Sequence, residues 1–426
     1  MMNKIFYILP IFAPSLVLAQ AVDADSVVQQ QSAPIITGAP VNAFEVIRKK
    51  AEAGDMVSQY ELADYYYRGS ATTGYDYAEA CRWYRKSAEQ GYSNAQIQLA
   101  ACAERGLGME KNYEEAKKWY KLAADNGAPS AQNNLGAILF NVDKDYEQAY
   151  DYYEKAANQN YAPALYNVGY CMLKGIGISK DTETAIQMWR RSAAQEYTYA
   201  YNGLGNEYYK GEVLPLNYDS AAYYFRKAAM KLHLSAEMSL ANLYSEGKGV
   251  EKSDKQALFW YKKAAEQGNV NAQYQVGLYY IKGIGTEVNQ TEGFNWLKKA
   301  ADANYMPACA NLAACYERGM GCKRNQAKAV EYYRKAAEQG NPDSQLMLGM
   351  CYDRGLGVTR NEAEAIKWMK KAANQGLAEA QYGLGVIYSF GSPAVKNEKN
   401  AFYWFKKSAD SGTDLALFQL GQCYQM

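Results

Sequence analysis

Residues 256–268 read QALFWYKKAAEQG, and variants of this phrase return along nearly the whole chain. The aromatic mark at Trp260 has equivalents at Trp83, Trp119, Tyr152, Met188, Tyr224, Trp296, Tyr332, Trp368 and Trp404. Neighbouring marks stand 36 residues apart, except that 33 separate Trp119 from Tyr152. A fixed period of roughly 20–50 residues is the signature of a stacked repeat array, in which each unit packs only on its neighbours.

Upstream of each mark, a second set of columns runs through the unit. Leu or Val recurs at Leu62, Leu99, Leu135, Val168, Leu204, Leu240, Val276, Leu312, Leu348, Leu384 and Leu420. Four residues earlier stands a small residue (Ala272, Ala308, Ser344), and four later, in most units from Tyr208 on, a Tyr (Tyr280, Tyr316, Tyr352, Tyr424). Spacing by fours puts all three on one helical face. Gly or Ala follows the Leu directly, where a larger side chain would push a partner helix away. Between this helix and the marked one lies a glycine turn, as in RGMGCKRN from Arg318. Its first Gly suits a left-handed helix end. Repeated in most units with no strand before it, the G-x-G is structural rather than a phosphate loop. The unit at 141–148 (NVDKDYEQ) lacks the glycines, and the turns at 212–215 and 392–394 are remodelled. These three places are candidates for a change in the curvature of the superhelix.

The predicted organisation is therefore a signal peptide over 1–19, a flexible linker over 20–41 and a half-repeat helix over 42–54. Ten helix-turn-helix units follow over 55–411, with a terminal half-repeat helix over 412–426. The signal reading rests on Lys4, an apolar run to Leu18 and the small-residue exit Val17-Leu18-Ala19, too short to read as a membrane span. No other stretch reaches spanning length, so an exported chain, periplasmic or secreted, is expected. The last helix would lack a covering partner, so either a fraying end or self-association is expected there.

Composition excludes several classes. Lys+Arg 46 against Asp+Glu 45 leaves a net charge of +1, so no field gathers nucleic-acid phosphates. One His, His233, leaves no conventional His-based catalytic or multi-His metal site, and neither cofactor nor metal is expected. Of the eight Cys, Cys102, Cys171, Cys315, Cys351 and Cys423 share the column three after the Leu and read as small core residues. Cys322 replaces a valine. Cys81 and Cys309 stand at variable positions without a repeated partner, so regular staples are not expected, and Cys315 with Cys322 is the nearest approach to a pair. The Trp/Tyr column reads as core. Charged runs such as YEEAKKWYKLAA from Tyr113 read as solvated helix face, and the sequon Asn289-Gln290-Thr291 is a single instance.

These columns resemble the Sel-one-like repeat family, a branch of the tetratricopeptide-repeat superfamily; residues 271–303 and 342–376 carry the pattern almost completely. The resemblance covers residues 42–426 and implies an all-α fold, a right-handed α/α superhelical solenoid of about ten 36-residue repeats. It implies a non-enzymatic scaffold or adaptor for a protein or peptide partner. Its first helices would line a concave face, with the columns two before, two after and five after the Leu pointing into it. Those positions hold Tyr60, Asn133, Tyr166, Asn202, Tyr274 and Tyr382; then Asp64, Tyr170, Asn206 and Asn242; then Tyr67 and Tyr209. Tyr and Asn offer contact area at low entropy cost and amides for a peptide backbone. The competing reading makes them rungs between neighbouring helices. Cysteine-rich relatives associated with β-lactam or cell-wall fragments supply an alternative function. This chain departs from them in lacking paired cysteines, and no Ser or Cys has an identifiable His or Lys base. A luminal quality-control adaptor is a second alternative.

Overall fold

The computed structural model describes residues 41–69 and 74–423; the expected signal, nearly all of the linker and Tyr424 lie outside them. The described residues form twenty-two α-helices and no strand, an all-α solenoid of stacked hairpins. The chain divides into two compact units between Leu204 and Gly205. The first holds α1 (Val41–Glu52), α2 (Met56–Arg68), α3 (Tyr77–Glu89), α4 (Ser93–Arg105), α5 (Tyr113–Asp125), α6 (Pro129–Ile138), α7 (Tyr146–Asn158), α8 (Ala162–Lys174), α9 (Thr182–Ala194) and the start of α10 (Thr198–Lys210). The second holds the rest of α10, then α11 (Tyr218–Ala229), α12 (Leu234–Glu246), α13 (Asp254–Glu266), α14 (Val270–Lys282), α15 (Gln290–Asp302), α16 (Met306–Arg318), α17 (Gln326–Glu338), α18 (Pro342–Arg354), α19 (Glu362–Asn374), α20 (Ala378–Phe390), α21 (Glu398–Asp410) and α22 (Asp414–Cys423). Within each unit a helix packs chiefly on its neighbours in sequence.

The small residue after the Leu does the work expected of it. A Cβ on Gly349 would stand 2.6 Å from Met369 Cγ, and one on Gly385 would stand 2.5 Å from the Phe405 ring. The partners identify the deepest core position, which is the residue after the aromatic mark. Tyr84, Tyr120, Phe225, Leu297 and Phe405 have 1% exposure or less. The mark itself lies at the rim. Trp83, Trp119, Trp296, Tyr332, Trp368 and Trp404 are buried, whereas Tyr152, Met188, Tyr224 and Trp260 are half-buried. Rim tryptophans keep a polar handle: Trp83, Trp296 and Trp368 donate Nε1–H to Glu79, Glu292 and Glu364 at 2.8, 2.8 and 3.0 Å. A lysine three residues on covers each ring, as Lys86 does at 3.7 Å from the Trp83 centroid. The charged runs are thus partly straps over the rim.

The turns follow from glycine and from an N-cap the column reading did not single out. Gly319 ends α16 in the left-handed region at φ 75°. Gly321 must be Gly for a second reason, since a Cβ there would fall 2.0 Å from the Gln290 carbonyl oxygen. Asn325 then opens α17: its side chain accepts from Lys328 N–H at 3.0 Å, and its own N–H donates to Tyr316 O at 2.8 Å. Asn289 of the sequon caps α15 in the same way, accepting from Glu292 N–H at 3.0 Å. The three irregular turns differ locally from the regular one. A π-helical segment, Leu139–Asp143, ends at Lys144 with φ 60°. Residues 212–215 carry the chain from Gly211 (φ 72°) to the cap Asn217 of α11. At 392–394, Gly391 is extended and Ser392 is held by hydrogen bonds to Glu362.

At six joints the successive hairpins are joined by a glutamine. Gln345 on α18 donates Nε2–H to the Ala337 carbonyl of α17 at 3.0 Å and accepts from Gln375 Nε2–H at 2.8 Å. The first of these bonds recurs at Gln59, Gln96, Gln132, Gln273 and Gln381, always to the carbonyl eight residues back. Each closes a backbone acceptor that stacking buries.

Candidate functional site

Helical spacing puts the expected binding residues in three columns along the first helix of each hairpin. In the column two before the Leu, Asn133 is buried at 1% exposure, while Tyr60, Tyr166, Asn202, Tyr274 and Tyr382 are half-buried. Asn133 Oδ1 accepts from Asn167 Nδ2 on α8 at 2.9 Å, a rung between consecutive first helices. Tyr60 meets Tyr92 edge-on at 5.3 Å, and Tyr274 meets Tyr305 at 5.6 Å. Burial pushes both phenols, Tyr60 and Tyr274, up to about 12. Tyr382 lies against Phe405 at 5.8 Å. Tyr166 stacks on Trp189 at 5.4 Å and 17°, and Trp189 Nε1–H donates to the Tyr166 carbonyl at 3.0 Å.

The column two after the Leu contains both closed and open members. Asp64 accepts from Tyr84 Oη–H and pairs with Arg68 at 3.1 Å, and burial holds its carboxyl above the usual range. Asn242 accepts from Tyr261 Oη–H at 2.6 Å. These two polar atoms lock the two helices of their own hairpin. Tyr170 touches Phe140 at 6.3 Å and is half-buried, as is Asn206. Five after the Leu, Tyr67 packs on Tyr77 at 5.3 Å, and Tyr209 packs on Tyr218 at 5.5 Å.

The candidates therefore divide by what already occupies them. Asp64, Asn133 and Asn242 spend their oxygens inside the fold. Asn202 does not: its Oδ1 is buried and accepts no hydrogen bond. Nearby in sequence, Tyr197 is 2% exposed and its hydroxyl is likewise without a partner. Its ring packs on Tyr166 at 5.8 Å and on Tyr199 at 5.6 Å. Two orphaned polar atoms within one short stretch of the first unit, Tyr197 to Asn202, mark it off from the regular rungs. Column reading missed Tyr197 and Tyr199, which sit at the start of α10 rather than on the chosen face.

Elsewhere the polar groups serve the fold. His233 caps α12, its Nδ1 accepting from Ala236 N–H at 3.3 Å, and burial lowers its imidazole to about 4. Among the described residues no three His, Cys, Asp or Glu side chains converge as a metal set. A shallow cavity of about 600 Å³ beside Arg226 and Tyr244 lies over a glycine turn. Its Arg226–Tyr244 hydrogen bond at 3.0 Å recurs as Arg334–Tyr352 at 2.6 Å, so it belongs to the repeat.

The Sel1 repeat model matches ten consecutive segments: 57–92, 93–127, 129–161, 162–197, 198–231, 234–269, 270–305, 307–341, 342–377 and 378–413. Among solved structures, the chain is similar to c5321, a protective antigen of uropathogenic Escherichia coli with an SLR fold. They share 29% identity over 90% of each chain, at a TM-score of 0.55. It is also similar to a Sel1 repeat protein from Oxalobacter formigenes, at 31% identity over 57% of this chain and 96% of that one, with a TM-score of 0.49. Helicobacter pylori cysteine rich protein B matches 30% of this chain and 92% of its own at 32% identity, with a TM-score of 0.25. No curated protein sequence matches.

Proposed function

The chain belongs to the Sel1 repeat family, and from that premise we propose an exported, non-enzymatic scaffold that holds a peptide segment of a protein partner against its first helices. Sel1 repeat proteins are generally protein-interaction scaffolds, and no described helix is long and apolar enough to cross a membrane. The 29%-identical relative from Escherichia coli is a protective antigen, which supports a chain that leaves the cytoplasm.

In the first unit the reading centres on Tyr166, Tyr170 and Asn202. The observation that carries it is the Asn202 oxygen, a buried acceptor left unpaired one repeat beyond the Tyr166–Trp189 stack. A peptide N–H supplies the missing donor, and the tyrosines of the same columns offer apolar area. Asp64, Asn133 and Asn242 contribute shape rather than hydrogen bonds, since their acceptors are already bonded. In the second unit the same column positions, Asn206, Tyr209, Tyr274 and Tyr382, extend the reading.

Crosslinked capture from the native cell envelope tests it. The wild-type chain is expected to retain a polypeptide that the Tyr170→Ala, Asn202→Ala variant releases, with circular dichroism unchanged. Equal retention by both would overturn the assignment of this face. Turnover of nitrocefin by the purified chain would overturn the non-enzymatic reading.

A further inference from the structure

Cys81 stands two residues before the aromatic mark, where other units carry Tyr150, Ile186, Leu258, Phe294 and Val330. All five are buried, so this column faces core. Across the joint it meets the column three after the Leu, as Tyr150 does beside Cys171. At one joint of the described chain both members are cysteine: Cys81 on α3 and Cys102 on α4. Both lie in one buried core cluster, where each thiol shifts the titration of the other. Leu107 ties the pair from the other side, its carbonyl accepting from Cys81 Sγ at 3.1 Å and its N–H donating to the Cys102 carbonyl at 3.0 Å. The sequence's nearest pair is arranged otherwise, because Cys322 Sγ faces the Cys315 carbonyl at 3.7 Å.

We propose that Cys81 and Cys102 are a modification site, closing a disulfide between the first and second repeats when the chain meets a low-molecular-weight disulfide such as oxidised glutathione. The Cys81 thiolate attacks one glutathione sulfur, the S–S bond of the reagent breaks, and one glutathione thiolate leaves and is protonated. Cys102 then loses its proton to solvent and attacks the Cys81 sulfur of the mixed disulfide, expelling the second glutathione. Two protein thiols are oxidised and one glutathione disulfide is reduced to two thiols. The order follows from the surroundings. Cys102 and the nearby Arg85 hold the Cys81 thiol below its ordinary range, whereas the Cys102 thiol lies far above it. Both side chains are buried, at 6% and 1% exposure, so reaction follows local opening of the α3–α4 joint.

The test is incubation of the full chain with oxidised glutathione, followed by alkylation, digestion and mass spectrometry. A peptide pair linked through Cys81 and Cys102 is expected, with titratable thiols falling from eight to six. Closing this loop raises the thermal midpoint of the oxidised chain over the reduced one. Cys81→Ala removes both effects and Cys315→Ala neither. Linkage of other cysteines, a glutathione adduct that persists on Cys81, or eight thiols still free would each overturn the proposal.

Discussion

Two joints of the second unit are built on the same backbone and differ by one functional group. Where α17 meets α18, Gln345 donates to the Ala337 carbonyl at 3.0 Å and accepts from Gln375 at 2.8 Å. Where α11 meets α12, the same position holds Glu237, with 0% exposure. Its Oε2 accepts from Gln267 Nε2–H at 2.7 Å, matching the second bond. Its Oε1 is buried with no partner, whereas every glutamine of the column donates to the carbonyl eight residues back. An ionised carboxylate has no donor to give. A protonated one does, and burial raises the Glu237 carboxyl above the ordinary range. The comparison teaches that Glu237 can offer the donor its glutamine counterparts offer only by holding its proton.

The largest expected effect comes from breaking the regular joint. Gln345→Glu sets an acceptor against the Ala337 carbonyl and is expected to cost about 2–3 kcal/mol at neutral pH. Urea denaturation followed by circular dichroism measures it, and the loss shrinks in acid as the new carboxyl protonates. The reverse change, Glu237→Gln, supplies the missing donor and is expected to gain about 1–2 kcal/mol at neutral pH. The sign with pH is fixed by linkage. A carboxyl whose folded value is raised contributes stability fully below its unfolded value, and that contribution is lost as pH rises through the folded one. The Glu237 contribution to wild-type stability therefore falls on leaving acid, and that component is absent in the glutamine variant. A variant that keeps the same pH slope would show that Glu237 is ionised throughout.

The ten-fold repetition explains what the sequence reveals about this fold. Each packing demand, such as Gly349 under Met369, is written once per hairpin, so columns of Leu, Gly and Tyr stand out without any tertiary information. The glutamine joint escapes because its partner is a backbone carbonyl, which has no letter. The order of Trp368 at the rim and Met369 in the core escapes because adjacent residues differ by a rotation that only the neighbouring helix settles. The same blindness affects the candidate face. Spacing places Asp64, Asn133, Asn242 and Asn202 alike, yet three spend their oxygens on neighbours and one does not. Cys81 finds Cys102 across a joint, at a separation that no column of cysteines repeats.

His233 sharpens the comparison from the acid side, since it opens the helix that carries Glu237. Its Nδ1 accepts the Ala236 N–H, which requires a neutral ring, and burial lowers the group to about 4. A depressed base contributes stability above its unfolded value of about 6.5 and loses it as pH falls toward the folded one. The two groups pull α12 in opposite directions with pH. His233→Asn keeps an N-cap acceptor that does not titrate, and is expected to remove about 1 kcal/mol of the acid loss near pH 5. Hydrogen exchange of the first α12 amides against pH reads this directly. An unchanged acid limb would place the loss elsewhere.

The smallest expected effect isolates burial as the deciding variable. Glu364 of α19 also bonds a neighbour's N–H, that of Trp368 at 3.0 Å, and pairs with Lys367 at 2.8 Å. Its side chain is 32% exposed, so water and salt screen the charge and a neutral amide can accept the same indole proton. Glu364→Gln is expected to change stability by less than about 0.5 kcal/mol, and less again in high salt. The same chemical swap should thus be nearly silent at position 364 and stabilising at 237, in one unit of one chain and under one assay. A loss at 364 as large as the gain at 237 would mean that the rim strap, rather than the buried donor at the joint, sets how tightly consecutive hairpins hold.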